Sequence, residues 1–246
     1  MSEALTPHPP ILQAKQVTKR FGGFTAVDTL DFTLGHRERV GLIGPNGSGK
    51  STFVNSLTGV IGIDHGSVEF NGTDITNLSA WQRARLGIAR SFQIPRPFKN
   101  QTVIENIEIP LMFAVGHSNP DLIEAEAEVL LAQVGLSALR KASPKSLTQV
   151  ELRKLELGRA LAAKPRVLIA DESMAGLSDP EVDEVLEVLL KLSADGISIV
   201  LIEHIMRAVV RFSQRIVVLV AGKKIADGDP REVMSHPEVE RAYLGQ

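Results

Sequence analysis

The sequence contains no cysteine, and only one tryptophan and one tyrosine among its 246 residues. The lack of cysteine excludes a disulfide framework and thiolate metal sites, and it is typical of proteins that work in a reducing compartment. Long hydrophobic runs are also missing. Apolar runs such as ISIVLI and RIVVLV are far shorter than the roughly 20 residues that a membrane-spanning helix needs. We therefore expect no membrane span in this chain.

Charge of one sign is not concentrated anywhere. The net charge is -2, from 27 Lys and Arg against 29 Asp and Glu, and long runs of like charge are absent. This distribution predicts no nucleic-acid partner and no polybasic membrane tether. The opening segment MSEALTPHPPILQ has an acidic residue and tandem prolines but no long apolar core, so it does not resemble a secretory signal. The expected location is the cytoplasm.

Strands and helices alternate along most of the chain, which predicts an α/β fold with a mainly parallel sheet. Two extended runs surround FGGF between Ile11 and about Leu34 and predict an antiparallel hairpin region. Four short strands are predicted from RVGLI, VLIA, ISIVLI and RIVVLV. VLIA is continuously apolar, as a strand covered on both faces is. From Thr102 to about Leu139 the pattern is helical, which predicts a helical segment inserted into the α/β frame.

A glycine-rich segment follows the strand RVGLI. Its sequence GPNGSGKST matches the phosphate-binding loop G-x-x-x-x-G-K-[ST] in the strand-to-helix context that this motif requires. Glycines let successive backbone N–H groups face phosphate oxygens, and the lysine of the pattern reaches the terminal phosphates. The predicted nucleotide-binding residues are Gly44, Pro45, Asn46, Gly47, Ser48, Gly49, Lys50, Ser51 and Thr52, with Ser51 also a magnesium ligand.

Four further side chains are candidates for the chemistry. Asp171 and Glu172 end the strand VLIA, where ligands bind in parallel α/β sheets, so Asp171 is expected to hold magnesium and Glu172 to orient or deprotonate water. His204, after another strand, is a candidate γ-phosphate contact, and Gln93 could ligate magnesium and touch the attacking water. Without other motifs, such residues are more often solvated loop, cap or surface residues. The presence of the phosphate loop makes a role in nucleotide chemistry the better interpretation.

These motifs, in this order, resemble the nucleotide-binding subunits of ATP-binding cassette (ABC) transporters from about Ile11 to Gln246. The phrases FGGFTAVD, LIEHIM, AGL and RAYLG are most similar to the ATPases of branched-chain amino acid uptake systems, with lipopolysaccharide-export ATPases as near relatives. The resemblance implies one nucleotide-binding domain over residues 1–246. A P-loop NTPase core with an antiparallel β subdomain is expected in 11–93 and 162–246, and a helical subdomain in 94–161.

The resemblance also implies cofactors and partners. A head-to-tail dimer would sandwich two ATP molecules with Mg²⁺, and Phe21 would stack on adenine; otherwise Phe21 is a core aromatic of the hairpin. Lys50 would act with Glu172, His204 and Gln93 in catalysis. Membrane-spanning permease subunits are the expected partners, and they would hold the chain on the inner face of the membrane. The helical insert would pass motion to them.

The segment SLTQVELRKLELGRAL departs from the family's LSGGQ-type signature. Thr148 keeps a hydroxyl, whereas Val150 adds a branched side chain where glycine lets the backbone approach a phosphate. One lost donor can cost on the order of 3 kcal/mol of transition-state stabilisation. We therefore expect a heterodimer with one strong and one weak site rather than a homodimer, with Thr148 and Val150 as the altered contacts. Ser146 or Thr148 is predicted to cap this helix, and Asp179 to cap a later one.

By this resemblance alone, import of branched-chain or other small amino acids is the favoured function. A lipid or lipopolysaccharide export motor is an alternative. A non-transport ABC protein and an ATP-binding module with little turnover are two others. The single nucleotide-binding unit, the lack of a coiled-coil insert and the lack of a basic face count against a non-transport role, while the altered signature keeps the weakly hydrolysing alternative open.

Overall fold

The computed structural model describes residues 9–114 and 119–244. Most of the segment MSEALTPHPPILQ and the end of the phrase RAYLG therefore lie outside the described residues. The strands are β1 (Leu12–Phe21), β2 (Phe24–Leu34), β3 (Arg39–Ile43), β4 (His65–Phe70), β5 (Thr73–Asp74), β6 (Ile88–Ser91), β7 (Val167–Asp171), β8 (Ser198–Ile202), β9 (Arg215–Val220) and β10 (Lys223–Gly228). The helices are α1 (Lys50–Leu57), α2 (Ala80–Leu86), α3 (Val103–Ala114), α4 (Pro120–Gln133), α5 (Gln149–Leu161), α6 (Asp179–Ala194), α7 (Met206–Phe212), α8 (Pro230–Met234) and α9 (Pro237–Leu244).

Two sheets organise these elements. The larger has the order β10-β9-β3-β8-β7-β6, and all its pairs are parallel except β10 with β9. The smaller sheet, β2-β1-β4-β5, is antiparallel, and β1 with β2 forms the hairpin expected around FGGF. The predicted fold class is confirmed: an α/β core with a mainly parallel sheet, an antiparallel β layer and helices from the inserted segment.

The apolar strands of the parallel sheet are covered on both faces. Leu168 and Ala170 of β7 contribute to a core shared with α3 to α6, whereas Val167 and Ile169 contribute to a core shared with α1 and the antiparallel sheet. Successive side chains of a strand point to opposite faces, so residues 167–170 of β7 all need apolar side chains, and only Asp171 at the carboxyl end is charged. In β8, too, Ile199 and Leu201 face one core while Val200 and Ile202 face the other. Burial on both faces is typical of parallel strands.

Helix α1 is held by packing against the antiparallel sheet and by hydrogen bonds at its carboxyl end. The ring of Phe53 packs edge-to-face on Phe32 of β2, with centroids 5.5 Å apart. At the carboxyl end of α1, the buried Arg83 donates to the carbonyl oxygens of Ser56 and Leu57, both at 2.7 Å. These carbonyls have no partner within the helix. A charged side chain of α2 therefore closes the helix that follows the glycine-rich loop.

The inserted helices share the core of the parallel sheet. Side chains of α3, α4 and α5 lie in the same apolar cluster as those of α6. Helix α5 begins after Thr148, whose hydroxyl accepts the N–H of Glu151 at 3.3 Å while the Glu151 carboxylate accepts the Thr148 N–H at 2.7 Å. Of the two caps predicted for this helix, Thr148 is the one that forms. The subdomain boundaries at residues 94 and 161 stay a prediction.

The cap predicted for α6 is wrong by one residue. Ser178, not Asp179, is the N-cap, because its hydroxyl and N–H both contact the Glu181 carboxylate, at 2.5 and 2.8 Å. Asp179 lies in the first turn, where a carboxylate is favourable to the helix dipole, and accepts a bond from Arg207 at 3.1 Å. The helix ends at Ala194, and Gly196, with a φ of 105°, follows its C-cap Asp195.

The carboxyl ends of β3, β6, β7 and β8 meet at one edge of the parallel sheet. Ile202 of β8 pairs with both Leu42 of β3 and Asp171 of β7, and Ser91 of β6 pairs with Ala170. The glycine-rich loop and the segments that contain Gln93, Glu172 and His204 leave the sheet at this edge. Strand order therefore brings together residues that are far apart in the sequence.

Candidate functional site

At two positions of the glycine-rich loop, only glycine fits, because there is no space for a Cβ atom. Gly49 has a φ of 101°, and a Cβ atom there would lie 2.3 Å from the carbonyl oxygen of Ala26. A Cβ atom at Gly44, with a φ of 152°, would lie 2.1 Å from the carbonyl oxygen of Leu219. Gly47 also has a positive φ, 76°, but has open space around it. The loop is thus pressed against the hairpin and β9, and the neighbouring backbone fixes its shape.

Lys50, the first residue of α1, is turned into the loop. Its ammonium donates to the carbonyl oxygens of Gly44 and Pro45, at 2.6 and 3.0 Å. Burial lowers the pKa of Lys50, and the nearby carboxylates of Glu172 and Asp171 oppose that shift. The cation therefore lies between the loop and the acidic pair, where the positive end of a helix also favours an anion.

A cavity of about 280 Å³ opens beside the loop. It is lined by residues 46–52 together with Phe24, Ala26 and Glu172. Phe21, the aromatic predicted to stack on a base, is paired with Phe24 where the hairpin turns, and both rings are exposed. The lining thus includes Phe24, which sequence reasoning did not consider, and the stacking role of Phe21 stays a prediction.

Asp171 is held by a residue that the sequence analysis missed. Its carboxylate is buried and lies 2.5 Å from Nη2 of Arg90 in β6, while Nη1 of Arg90 donates to the Asn55 side chain of α1 at 2.6 Å. Arg90 therefore links three elements of the site. No sequence signal distinguishes it from any other arginine in a short strand, because its partners come from distant parts of the chain.

Glu172 and Gln93, which were predicted to belong to one site, are in contact. The Gln93 side-chain amide donates to Oε2 of Glu172. Glu172 has a φ of 46°, which is strained for a residue with a side chain, and its N–H donates to the Ile202 carbonyl at 2.9 Å. The backbone turns sharply here, so Glu172 leaves the strand and reaches the lining of the cavity beside the loop.

His204 follows β8 at the same edge of the sheet and is 66% exposed in its side chain. Its Nδ1 lies 4.0 Å from Oε2 of the preceding Glu203, which is itself only 2% exposed. The imidazole is therefore exposed at this edge of the sheet. Its proposed contact with a phosphate stays a prediction.

The start of α5 revises the steric argument made from the sequence. Val150 is only 8% exposed and packs in the core that α5 shares with the parallel sheet. Its branched side chain therefore points away from the exposed end of the helix. The neighbouring Gln149 and Thr148 are exposed instead. Thr148 and Gln149 therefore form the exposed start of this helix, while the phosphate contacts of Thr148 and Val150 stay predictions.

Oxygen ligands for a divalent cation are present around the loop. Among the described residues there is no cluster of three or more His, Cys, Asp and Glu that could hold a metal without other groups. Ser51, Gln93 and Asp171 nevertheless supply hydroxyl, amide and carboxylate oxygens. Mg²⁺ prefers such hard ligands and commonly combines one or two protein ligands with phosphates. The donor set fits magnesium bound together with a nucleotide.

Comparisons with known proteins identify the family. Residues 27–175 match the family described as ABC transporter, and residues 223–246 match the one described as branched-chain amino acid ATP-binding cassette transporter. The chain is 34% identical to the high-affinity branched-chain amino acid transport ATP-binding protein BraF of Pseudomonas aeruginosa, over 96% of this chain and 98% of that protein.

Solved structures give the same result. The ADP conformation of an ATP-binding cassette of an ABC transporter matches with a TM-score of 0.87 and 30% identity, over 96% of this chain and 99% of the other. A dimeric bacterial ABC transporter cassette matches with a TM-score of 0.80 and 25% identity, over 89% and 99%. With a family model over more than half of its length and a relative that matches it almost end to end, this chain belongs to the ATP-binding subunits of ABC transporters and is an ATPase.

Proposed function

We propose that this chain is the motor subunit of an importer for branched-chain or other small amino acids. The contact between Gln93 and Glu172, beside a loop shaped for phosphates, supports the hydrolytic part. The cargo is supported by the match of residues 223–246 and by the name of BraF. ATP binding would close a dimer of cassettes, and hydrolysis would reopen it.

The predicted residues have distinct roles in this proposal. The loop from Gly44 to Thr52 binds the phosphates, and Lys50 neutralises their charge. Ser51, Gln93 and Asp171 would hold Mg²⁺, which would supply electrostatic stabilisation of the transferring phosphoryl group. Glu172 orients or deprotonates the attacking water, and its acceptance of the Gln93 amide fixes the direction of its carboxylate.

An exposed apolar cleft supports docking to a membrane-spanning permease. The cleft, about 410 Å³, lies between α2 and α3 and is lined by Trp81, Ala84, Arg85, Pro110 and Phe113. Trp81 is 61% exposed and Phe113 76%, and contiguous exposed aromatics commonly mark interaction sites. No helix in the described part of the chain has the length and hydropathy of a membrane span. Attachment at the inner face of the membrane would therefore depend on the permease.

We further propose that the second cassette is a different chain. The exposed start of α5 has Gln149 where the family signature has its first glycine. A long side chain at this position would keep the helix start from a partner's γ-phosphate, whereas the chain's own loop, Asp171 and Glu172 are those of a complete half-site. A heterodimer would combine this half-site with an intact signature from the partner.

The first experiment is sedimentation of the full chain with the substitution Glu172→Gln, with and without Mg²⁺ and ATP. Blocking hydrolysis should trap any ATP-closed dimer. For a heterodimeric motor we expect ATP binding without dimerisation. ATP-driven dimerisation would instead indicate a homodimer and contradict the partner proposal while leaving the motor role intact.

A second experiment tests the cargo. In the cells that produce this chain, the Glu172→Gln variant should abolish uptake of labelled leucine, isoleucine and valine. The control is Glu187→Gln, a surface carboxylate on α6 that pairs with Arg211. Normal amino acid uptake with the Glu172→Gln variant would refute the importer, and a defect in lipopolysaccharide export instead would favour the alternative motor.

A further inference from the structure

The turn that follows Glu172 is held by two charged side chains that the proposed mechanism does not use. Oε1 of Glu203 accepts the N–H of Met174 at 2.8 Å. Nη2 of Arg153 donates to the carbonyl oxygen of Ala175 at 3.1 Å. An anion thus binds a backbone donor and a cation binds a backbone acceptor within two consecutive residues of the turn. Charge-assisted bonds of this kind are stronger than those between neutral groups.

Glu203 occupies a costly position. It is only 2% exposed, and its second oxygen, Oε2, has no hydrogen-bond partner among the residues that the structure describes. Burial raises the pKa of Glu203 to about 7, although the Met174 N–H lowers it. A buried carboxyl with one free oxygen destabilises a fold by comparison with an apolar side chain of the same volume. Its contact with Met174, three residues from Asp171, is the feature that a neutral apolar residue could not supply.

Arg153 joins this turn to a second part of the site. Its other terminal nitrogen, Nη1, donates to the backbone carbonyl of Gln93. The side chain of Gln93 in turn donates to Glu172. One guanidinium on α5 therefore contacts both of the segments whose side chains meet at the catalytic carboxylate. Its planar fork can bind two carbonyl oxygens at once, which a lysine ammonium at the same position cannot do with the same geometry.

We propose that Arg153 and Glu203 are positioning residues for ATP hydrolysis, which hold Glu172 and Gln93 in their mutual orientation and link that orientation to helix α5. A displacement of α5, which begins at the altered signature, moves Arg153 and with it both segments. Hydrolysis in one subunit's site then responds to the placement of that subunit's own signature helix. The proposal depends on the ATPase activity of the family and not on the transported cargo.

The Glu203 arm of the test compares Glu203→Gln with Glu203→Ala. Glutamine keeps an oxygen for the Met174 N–H, whereas alanine removes it. ATP hydrolysis is measured in the assembled transporter. For the alanine variant we expect kcat to fall about tenfold, the effect of one lost hydrogen bond on the reacting geometry, with KM for ATP within about twofold of the wild type. Glutamine should restore kcat to within about threefold. Amide exchange over residues 172–178 should rise in the alanine variant only.

The Arg153 arm compares Arg153→Ala and Arg153→Lys with Lys154→Ala. Lys154 is adjacent on α5 but pairs with Glu184, so it controls for loss of a positive charge on this helix. Both Arg153 variants should lose about tenfold in kcat without a change in nucleotide affinity, and lysine should not rescue alanine. The double variant Arg153→Ala with Glu203→Ala should lose less than the product of the two single losses, because both act on one turn.

The outcomes separate positioning from stability. Wild-type kcat in Arg153→Ala and Glu203→Ala would overturn the proposal, as would equal losses in Glu203→Gln and Glu203→Ala. A fall in nucleotide affinity that matches the fall in kcat would also overturn it, because the phosphate loop is not contacted by either residue. If Glu203→Ala does not fold, the Arg153 variants decide the question, since Arg153 is only partly buried.

Discussion

The buried carboxyl of Glu203 predicts a pH dependence of stability that one substitution should remove. Glu203 has a pKa of about 7 in the folded protein against an ordinary value of 4.5. Between these values the folded protein holds a proton that the unfolded chain has released. The free energy of unfolding therefore falls as the pH rises from about 4.5 to about 7, and the contribution is fully present only below 4.5.

The magnitude follows from the two pKa values. At 1.36 kcal/mol per pH unit, the difference between 4.5 and about 7 corresponds to about 3 kcal/mol. Glu203→Gln replaces the carboxyl by an amide that does not titrate. Compared with the wild type, the glutamine variant should therefore gain about 3 kcal/mol in relative stability between pH 4.5 and pH 8.

Urea unfolding of both proteins at a series of fixed pH values measures this difference directly, because other carboxylates contribute equally to both. Glu187→Gln is the control, since its carboxylate is half-exposed and its variant should run parallel to the wild type. Parallel pH profiles for Glu203→Gln and the wild type would refute the reasoning, because they would mean that Glu203 titrates normally in the folded protein.

Two further substitutions test the packing around the glycine-rich loop. Gly49→Ala should destabilise the protein by about 2 kcal/mol or more and abolish nucleotide binding, because its Cβ atom would lie 2.3 Å from the Ala26 carbonyl oxygen. Gly47 lies in open space, so Gly47→Ala should cost only about 1 kcal/mol. Equal losses of stability in thermal unfolding of the two variants would contradict this reasoning. Arg83→Met should lower the free energy of unfolding by about 3 kcal/mol, since it removes two charged hydrogen bonds to the end of α1; a loss under 1 kcal/mol in urea unfolding would show that water replaces the guanidinium.

The parts of the fold that were predictable depend on local patterns. The phosphate loop is specified by its own residues and flanking elements, and the apolar strands indicate a sheet covered on both faces. Strands β6 and β10 were not predicted, because IARS is short and KKIADG is largely polar. They form strands only because they pair with β7 and β9, and such pairing has no local signal.

The same distinction applies to the site. Glu172 and Gln93 could be proposed from motif order, and they are in contact. Arg90, Arg153 and Glu203 could not, because each contacts residues of other elements that the fold alone brings close. The error at Asp179 was avoidable, since Ser178 with Glu181 three residues later is the sequence pattern of a capping box.

The burial of Val150 means that two demands compete at one position of the signature helix. A glycine there would remove a core side chain worth roughly 1.5–3 kcal/mol of burial and lower helix propensity by roughly half to one kcal/mol. A chain with this core therefore cannot recover a glycine signature in a single harmless step. Evolution toward a symmetric motor would first have to fill the space beside α5 with another residue, and only then could the signature change without loss of the folded protein.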